Sequence, residues 1–542
     1  MLYLKFKKKH TKHLKITPIK TVLKFVFILP FVALLLVGCT SVAEYNQKLD
    51  KTISKEKLLA DVDYVQHKLE KLHPSLYTYI SKEAFNQKLD SVRMAIDKPL
   101  TSKEFFFLLS PVVASVRQGH MVLSPPFKKT EKTELSRLTK LGAGPLSQFD
   151  LEWINYKLYV VKNKSNLKRI TAGAEVISIN LVPPQNIYNK YRNTYSSDGY
   201  NSTYIPRGFS KRFSTYFTNE MGINDSLAYV FKQNDSIISC VIHRQVLEKK
   251  AKVKSPVTDV AKPKPFVEDK KKQRIYGYDA TTKTFSKNLT LVAKDSSIAV
   301  LKVKDFSKGN FRKGYKEIFA NLQQKEVKTL ILDLRNNPGG RVAESVELYS
   351  YLTDKDFVML QSAIVTSKTS LWKLGLFNKI PMVAFPFAAA FYPFYIGFST
   401  LRTKKNQQGV YTYSLVGSKK RKFQPNHFSG KVYVLFNGGS FSASCLLASS
   451  LKSNANITFV GEETGGGFNT TVAGLLPVLT LPNSKLPLRI GLMDVRTTNQ
   501  TEVVGHGIYP DKEIIPTLSD RLENKDPEMD WILKECTSKN TQ

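Results

Sequence analysis

Between residues 46 and 135 the apolar positions fall on helical spacing. Leu58, Val62, Val65, Leu69 and Leu72 recur at three- and four-residue steps and line one face of an amphipathic helix. His73-Pro74 should end it, because the residue before a proline is pushed out of the helical region. Ser81, with Glu83 in the next turn, reads as the cap of a second helix. Thr101 and Glu104 are spaced as a capping box ahead of Phe105–Leu109, which predicts a third helix running to about Arg117. The segment 46–135 is therefore expected to be a helical N-terminal domain, with loop at Pro125-Pro126 and Lys128–Lys132.

The period then changes. Short β-like runs at Leu158–Val161, Glu175–Asn180, Ala228–Phe231 and Ile237–Ile242 predict a β-rich domain over 148–245. Residues 248–274 are rich in Lys, Pro and Val without periodicity and read as a basic linker. From 290 to 516 strands (297–304, 329–334, 432–436, 457–460) alternate with helices (about 310–324, 341–353, 442–452). That alternation predicts an α/β layered domain around a buried sheet. One insert, 382–398, breaks the pattern: it is almost wholly apolar and contains Pro386 and Pro393. Lys373, Lys379, Arg402, Lys404 and Lys405 flank it. It is short and proline-broken for a membrane span. An interfacial or lid-like segment touching membrane or substrate is expected, or a loop packed on the body.

Composition narrows the class. The 542 residues are 42% hydrophobic and 23% charged, which suits several globular domains and excludes a disordered tail or a multi-span membrane protein. Cys39, Cys240, Cys445 and Cys536 are far apart, which excludes a zinc ribbon and a thioredoxin-like pair. The net charge is +36. Residues 1–24 hold eight lysines and no acid, and a short apolar run from Phe25 follows, the layout of a secretory signal. Its ending, Leu36-Val37-Gly38-Cys39, resembles a bacterial lipobox. That resemblance implies that 1–38 is a lipoprotein signal peptide and that Cys39 carries lipid. The protein would then be a membrane-anchored lipoprotein of the bacterial cell envelope, periplasmic or on the outer surface. An uncleaved anchor helix is the alternative. Export argues against nucleic acid as the partner of the basic charge; an anionic membrane, or simple solvation, fits it better.

Three segments carry candidate chemistry. In Val432–Cys445 a buried strand runs into Gly438-Gly439, and Ser440, Ser442 and Ser444 lead into a helix. A hydroxyl at a helix N-terminus sits where free N–H groups favour a developing anion, but serine is also a common cap. In Thr329–Gly340 another strand ends in Asn336-Asn337-Pro338-Gly339-Gly340, where glycines let backbone N–H groups approach an oxygen. A tight turn would look the same. His120 follows the third helix, and nothing local distinguishes it. No H-E-x-x-H or phosphate-loop motif is present, and His67 and His73 are not at i,i+4 spacing, so neither a metal nor a cofactor is expected.

Taken together, Asp333–Gly340, Asn437–Ser444, Val460–Gly466 and Gly505–Asp511 resemble the tail-specific, C-terminal-processing serine peptidases, a family that includes the tricorn protease core. Gln118-Gly119-His120 and Leu72–Ser75 match the N-terminal part of one branch, and Ile170–Asn180 resembles the middle of a PDZ domain. The resemblance implies a Clp protease/crotonase-like catalytic domain at 290–516, with a helical N-terminal domain and a PDZ-like β-rich insert. It implies a serine endopeptidase acting on exported or misfolded polypeptides. Ser442 would be the nucleophile, with the oxyanion hole formed by Ala443 and the Gly339-Gly340 turn. The common branch's lysine base falls on Gly467, so the tricorn-like branch, whose histidine falls on His120, is the better match. That branch's helper serine falls on Gly119, and Glu502 or Glu463 is the candidate orienting acid. Cys445 reads as a buried small side chain. The rival reading is a catalytically inactive peptide- or ligand-binding protein on the same scaffold.

Overall fold

The computed structural model describes residues 41–245, 270–292, 295–372, 380 and 384–539. The expected N-terminal signal at 1–38, Cys39 and most of the expected 248–274 linker lie outside them. Helices α1 (Lys55–Leu72), α2 (Lys82–Ala95) and α3 (Ser102–Ala114) form the N-terminal part. The leucine and valine stripe of α1 is its buried face. Ser81 accepts the Ala84 N–H, and Thr101 and Glu104 make both bonds of the capping box. The third helix ends at Ala114, short of the expected Arg117. Arg117 takes a positive φ of 56°, which no helix accommodates, and the chain leaves in a new direction before strand β1 (Val122–Leu123).

Strands β2 (Phe149–Ile154), β3 (Lys157–Asn163) and β4 (Glu175–Ile179) lead into helices α4 (Pro184–Tyr191) and α5 (Tyr204–Met221). Strands β5 (Ser226–Gln233) and β6 (Ser236–His243) complete a five-stranded antiparallel sheet in sequential order. The two helices were not expected. The buried aromatics of α5 do keep helical spacing: Phe209, Phe213, Tyr216 and Phe217 share one core with Trp153, Tyr229 and Phe231 of the sheet.

The third unit holds β7 (Lys287–Val292), β8 (Asp295–Val303), α6 (Phe311–Gln324), β9 (Thr329–Asp333) and α7 (Val342–Tyr349). It continues with α8 (Phe385–Arg402), β10 (Lys431–Phe436), α9 (Ala443–Leu451), β11 (Ile457–Gly461) and β12 (Pro487–Arg489). Last come β13 (Met493–Arg496), β14 (Lys512–Glu513) and α10 (Pro527–Lys539). The main sheet runs β7-β8-β9-β10-β11-β14, antiparallel at β7/β8 and parallel thereafter. Both faces are covered, as a parallel sheet requires. Leu330, Leu332, Val432 and Val434 join the core shared with the N-terminal helices, while Ile331, Tyr433 and Leu435 pack with Ile532 of α10.

Register fixes where chemistry can sit. Asp333 stands opposite Leu435, and Phe436 opposite Gly461. The carboxyl ends of β9, β10 and β11 are thus level, and the loops after them emerge side by side. Open α/β sheets bind ligands at such an edge.

The apolar insert is helix α8, with Pro386 in its first turn and Pro393 inside. Among the described residues no helix is long and apolar enough to cross a membrane. One face holds the body: Tyr392 donates to the Trp372 carbonyl, and Tyr395 to the Leu371 carbonyl at 2.7 Å.

Candidate active site

Ser440, Ser442 and Ser444 were indistinguishable by position, and their hydrogen bonds separate them. Ser440 Oγ donates to the Leu334 carbonyl at 2.8 Å and accepts from the Asn437 N–H. Ser444 Oγ donates to the Asn337 carbonyl at 2.9 Å. Both tie the 437–444 turn to the 334–340 turn. The Ser442 hydroxyl has no hydrogen-bond partner among the described residues, although it stands at the N-cap of α9. Its backbone has φ 57° and ψ −121°, a conformation that costs a non-glycine residue about 1–3 kcal/mol. Such strain at a strand–helix junction raises the hydroxyl above the sheet edge, the placement a nucleophilic serine needs.

The facing turn is built around Asn337. It is buried; its Nδ2 donates to the Val303 carbonyl, its Oδ1 accepts the Gly339 N–H at 2.9 Å, and its carbonyl accepts the Phe441 N–H. Gly339, at φ 92°, passes so close that a Cβ there would lie 2.7 Å from Ser442 Cβ and 2.8 Å from Ala443 N. The sequence paired Gly339 and Gly340 as donors. The Gly339 N–H is already engaged by Asn337, whereas the Gly340 N–H has no acceptor among the described residues. Ala443 opens α9, and the first helical N–H has no carbonyl one turn back to bond.

His120 reaches the same place from the N-terminal part. Its ring stacks on Phe441, the residue before Ser442, with centroids 5.1 Å apart, and Tyr204 stacks on Phe441 at 4.7 Å. The His120 carbonyl accepts from Arg489 Nε at 2.8 Å. His120 Nδ1 is buried and has no hydrogen-bond partner among the described residues. Burial, and secondarily Arg489, push its pKa down to about 3. No hydrogen bond joins His120 to Ser442 among the described residues; free enzymes are often loose at this contact.

The candidate acids stand elsewhere. Glu463 accepts from the Gly507 N–H at 2.8 Å and lies 3.3 Å from His506 Nδ1. Glu502 is exposed. Neither contacts His120 among the described residues. The acid beside the histidine loop is Asp198, which the sequence reading missed. Its Oδ1 accepts the Gly119 N–H at 2.9 Å and its Oδ2 the Gly467 N–H at 3.4 Å. Burial raises its pKa to about 6. The only sequence signal was the Asp198-Gly199 turn pair.

Gly467 has no room for the lysine of the common branch, since a Cβ would sit 2.6 Å from the Thr470 carbonyl oxygen. Lys452 pairs instead with Asp511. Cys445 is buried, its pKa pushed up to about 12 by burial, and its Sγ contacts the Ser440 carbonyl. It is an inert packing residue.

This edge, with a strained serine under open backbone donors, defines a serine-type peptidase. Residues 297–514 match Peptidase family S41, and the protein is a serine-type peptidase with a domain similar to that family there. No curated protein matches the chain in sequence. Among solved structures it is similar to mature CPAF, at 15% identity over 86% of this chain and 94% of that one, with a TM-score of 0.55. Mature CPAF complexed with lactacystin gives 14% identity, 90% and 99% coverage and a TM-score of 0.56. These likenesses show that the fold is shared across nearly the whole chain.

Proposed function

We propose that the protein hydrolyses peptide bonds of exported or misfolded polypeptides, with Ser442 as nucleophile and His120 as base. The observation that carries this is the free, strained Ser442 beside two serines held as turn struts. Ser442 Oγ attacks the scissile carbonyl carbon as its proton passes to the His120 ring. The oxyanion is held by the N–H groups of Ala443 and Gly340. His120 then gives the proton to the leaving amine, and water repeats both steps on the acyl-enzyme. Asp198 has a positioning role: it holds the peptide before His120 and the glycine loop together. His120, at about 3, is neutral near pH 7. A drop from its usual 6.5 disfavours the imidazolium by on the order of 5 kcal/mol. The oxyanion forming beside it offsets part of that.

Peptide-hydrolysis rates of Ser442→Ala, His120→Ala and the double variant test the assignment. Each single change should remove most of kcat/KM, and the double little more, because the pair acts as one unit. Near-normal turnover in His120→Ala would end the mechanism.

The protein is further proposed to sit on an anionic bilayer through lipid on Cys39 and through α8. Phe387, Phe391, Phe394, Phe398 and Leu401 make one stripe, each between 53% and 79% exposed. Along the chain on either side of it, no Asp or Glu occurs between Asp356 and Glu462, against twelve Lys and Arg, with Arg402, Lys404 and Lys405 directly at its end. An apolar stripe with a basic surround suits an anionic lipid surface. Flotation of Cys39→Ala and of Phe391→Ser/Phe394→Ser with anionic vesicles reads the two contributions. Undiminished binding in both would refute the arrangement.

A further inference from the structure

A backbone N–H stabilises an oxyanion only if it is aimed, and the aim of the Gly340 N–H is set from behind. In a trans peptide the N–H points away from the preceding carbonyl. That carbonyl, of Gly339, accepts the Phe306 N–H at 2.9 Å, and the Arg341 N–H donates to the Phe306 carbonyl at 2.7 Å. Gly340 presses on the same residue: a Cβ there would lie 2.6 Å from the Phe306 carbonyl carbon and oxygen. Phe306, fully buried, therefore fixes the direction of the donor.

Phe306 belongs to the loop between β8 and α6, and charge ties that loop down. The Lys308 carbonyl accepts from Lys287 Nζ at 2.7 Å and from Arg341 Nη2 at 3.2 Å. The Gly309 carbonyl accepts from Arg341 Nη2 at 3.1 Å. Both cations converge on Glu344, in the first turn of α7. Lys287 Nζ lies 2.7 Å from its Oε1, and Arg341 Nη2 lies 2.7 Å from its Oε2. The Tyr315 hydroxyl of α6 donates to Oε1 at 3.3 Å. The Lys287 and Glu344 side chains are wholly buried. Such a pair adds little net stability over apolar side chains of the same shape, because desolvation cancels most of the attraction. Its distinctive property is direction. One carboxylate fixes two cations, and the cations fix two carbonyls of the loop that aims Gly340.

We infer that Lys287, with Glu344 and Arg341, is a positioning residue for the oxyanion hole: it holds the 305–310 loop, and through Phe306 the Gly340 N–H, in place opposite Ser442. This rests on the peptidase reading of Ser442. Lys287 acts through Phe306 rather than on the substrate.

The test is peptide-hydrolysis kinetics of the full chain, with active sites titrated by a serine-reactive fluorophosphonate so that misfolded protein is not counted. In Lys287→Met, kcat per titrated site should fall on the order of 10- to 100-fold with KM within about twofold, since a tilted donor forfeits part of what a lost one costs. Affinity for a peptide aldehyde, whose hemiacetal oxygen occupies the oxyanion hole, should fall by a like factor. Binding of uncleaved peptide to Ser442→Ala/Lys287→Met, read by anisotropy, should match that of Ser442→Ala. Arg341→Gln should act in the same direction, and Arg341→Lys, which keeps a charge towards Glu344, should lie between it and the wild type. Lys287→Met/Glu344→Leu, which removes both charges of the pair, should regain urea resistance over Lys287→Met without regaining kcat. A merely structural pair would lower the titrated fraction and leave kcat per site and aldehyde affinity at wild-type values. That outcome overturns the inference and leaves the peptidase reading standing. Absence of Ser442-dependent turnover by the wild type overturns both.

Discussion

Gly119 tests how the histidine and serine are held together. It stands where the tricorn-like branch would carry a helper serine, and the structure leaves no space for one. A Cβ at Gly119 would lie 2.5 Å from Phe441 Cζ, 3.1 Å from Cε2 and 3.2 Å from the Ser197 carbonyl carbon. Comfortable carbon contacts are about 3.5–4.0 Å, so the ring tip must retreat by roughly 1 Å. Phe441 cannot do so alone. It is 5% exposed and packed between the His120 and Tyr204 rings, and the next residue is the strained Ser442. Gly119→Ala should therefore cost about 1–3 kcal/mol of stability through overpacking. Displacing Ser442 by up to 1 Å should lower kcat/KM on the order of 100-fold. Urea midpoints and peptide-hydrolysis kinetics measure the two effects. Adding Phe441→Leu should return the stability, because the smaller side chain vacates the contact, without returning the full rate. A Gly119→Ala enzyme with wild-type kcat/KM would refute the packing argument.

Acid should destabilise the fold through His73. It is buried, its Nδ1 accepts the Ser75 N–H at 3.3 Å, and burial pushes its pKa down to about 4. Below its unfolded value near 6.5 the unfolded chain takes a proton that the native one refuses. Stability therefore falls by about 1.4 kcal/mol per pH unit until the folded value is reached. Between pH 7 and 5, urea midpoints of His73→Gln should drop less than the wild type's by about 2 kcal/mol equivalent; parallel drops would refute this. Lys287 and Glu344 form a fully buried ion pair at 2.7 Å, and Arg341 also pairs with Glu344, so Lys287→Met should cost about 1–3 kcal/mol in equilibrium unfolding, and an unchanged stability would contradict it. Gly467→Lys in a His120→Ala background should fail to restore turnover, because the Thr470 carbonyl blocks the new side chain; recovered hydrolysis would show that the loop can open.

Much of the scaffold was legible along the chain. The α1 stripe, the Thr101 capping box and four of the six strands of the main sheet each carry a local signal in period or capping chemistry, and each was found within a few residues. Helices α4 and α5 were not, although Phe209, Phe213, Tyr216 and Phe217 carry the i, i+4, i+7, i+8 spacing of a helix, because aromatic-rich segments suit strands as well. The motifs named the family, and the positions of Ser442 and His120 followed from that resemblance. Choosing Ser442 over Ser440 and Ser444 on physical grounds required the tertiary structure, since all three sit in one turn and differ only in what lies opposite them. Asp198 was invisible for the same reason, since its role depends on Gly119, 79 residues away, and Gly467, 269 residues away. Short-range sequence fixes periodicity, caps and turns, because those energies are local. Which donors are already satisfied, which charges go unpaired and where a Cβ would collide are properties of groups brought together only when the sheet edges align.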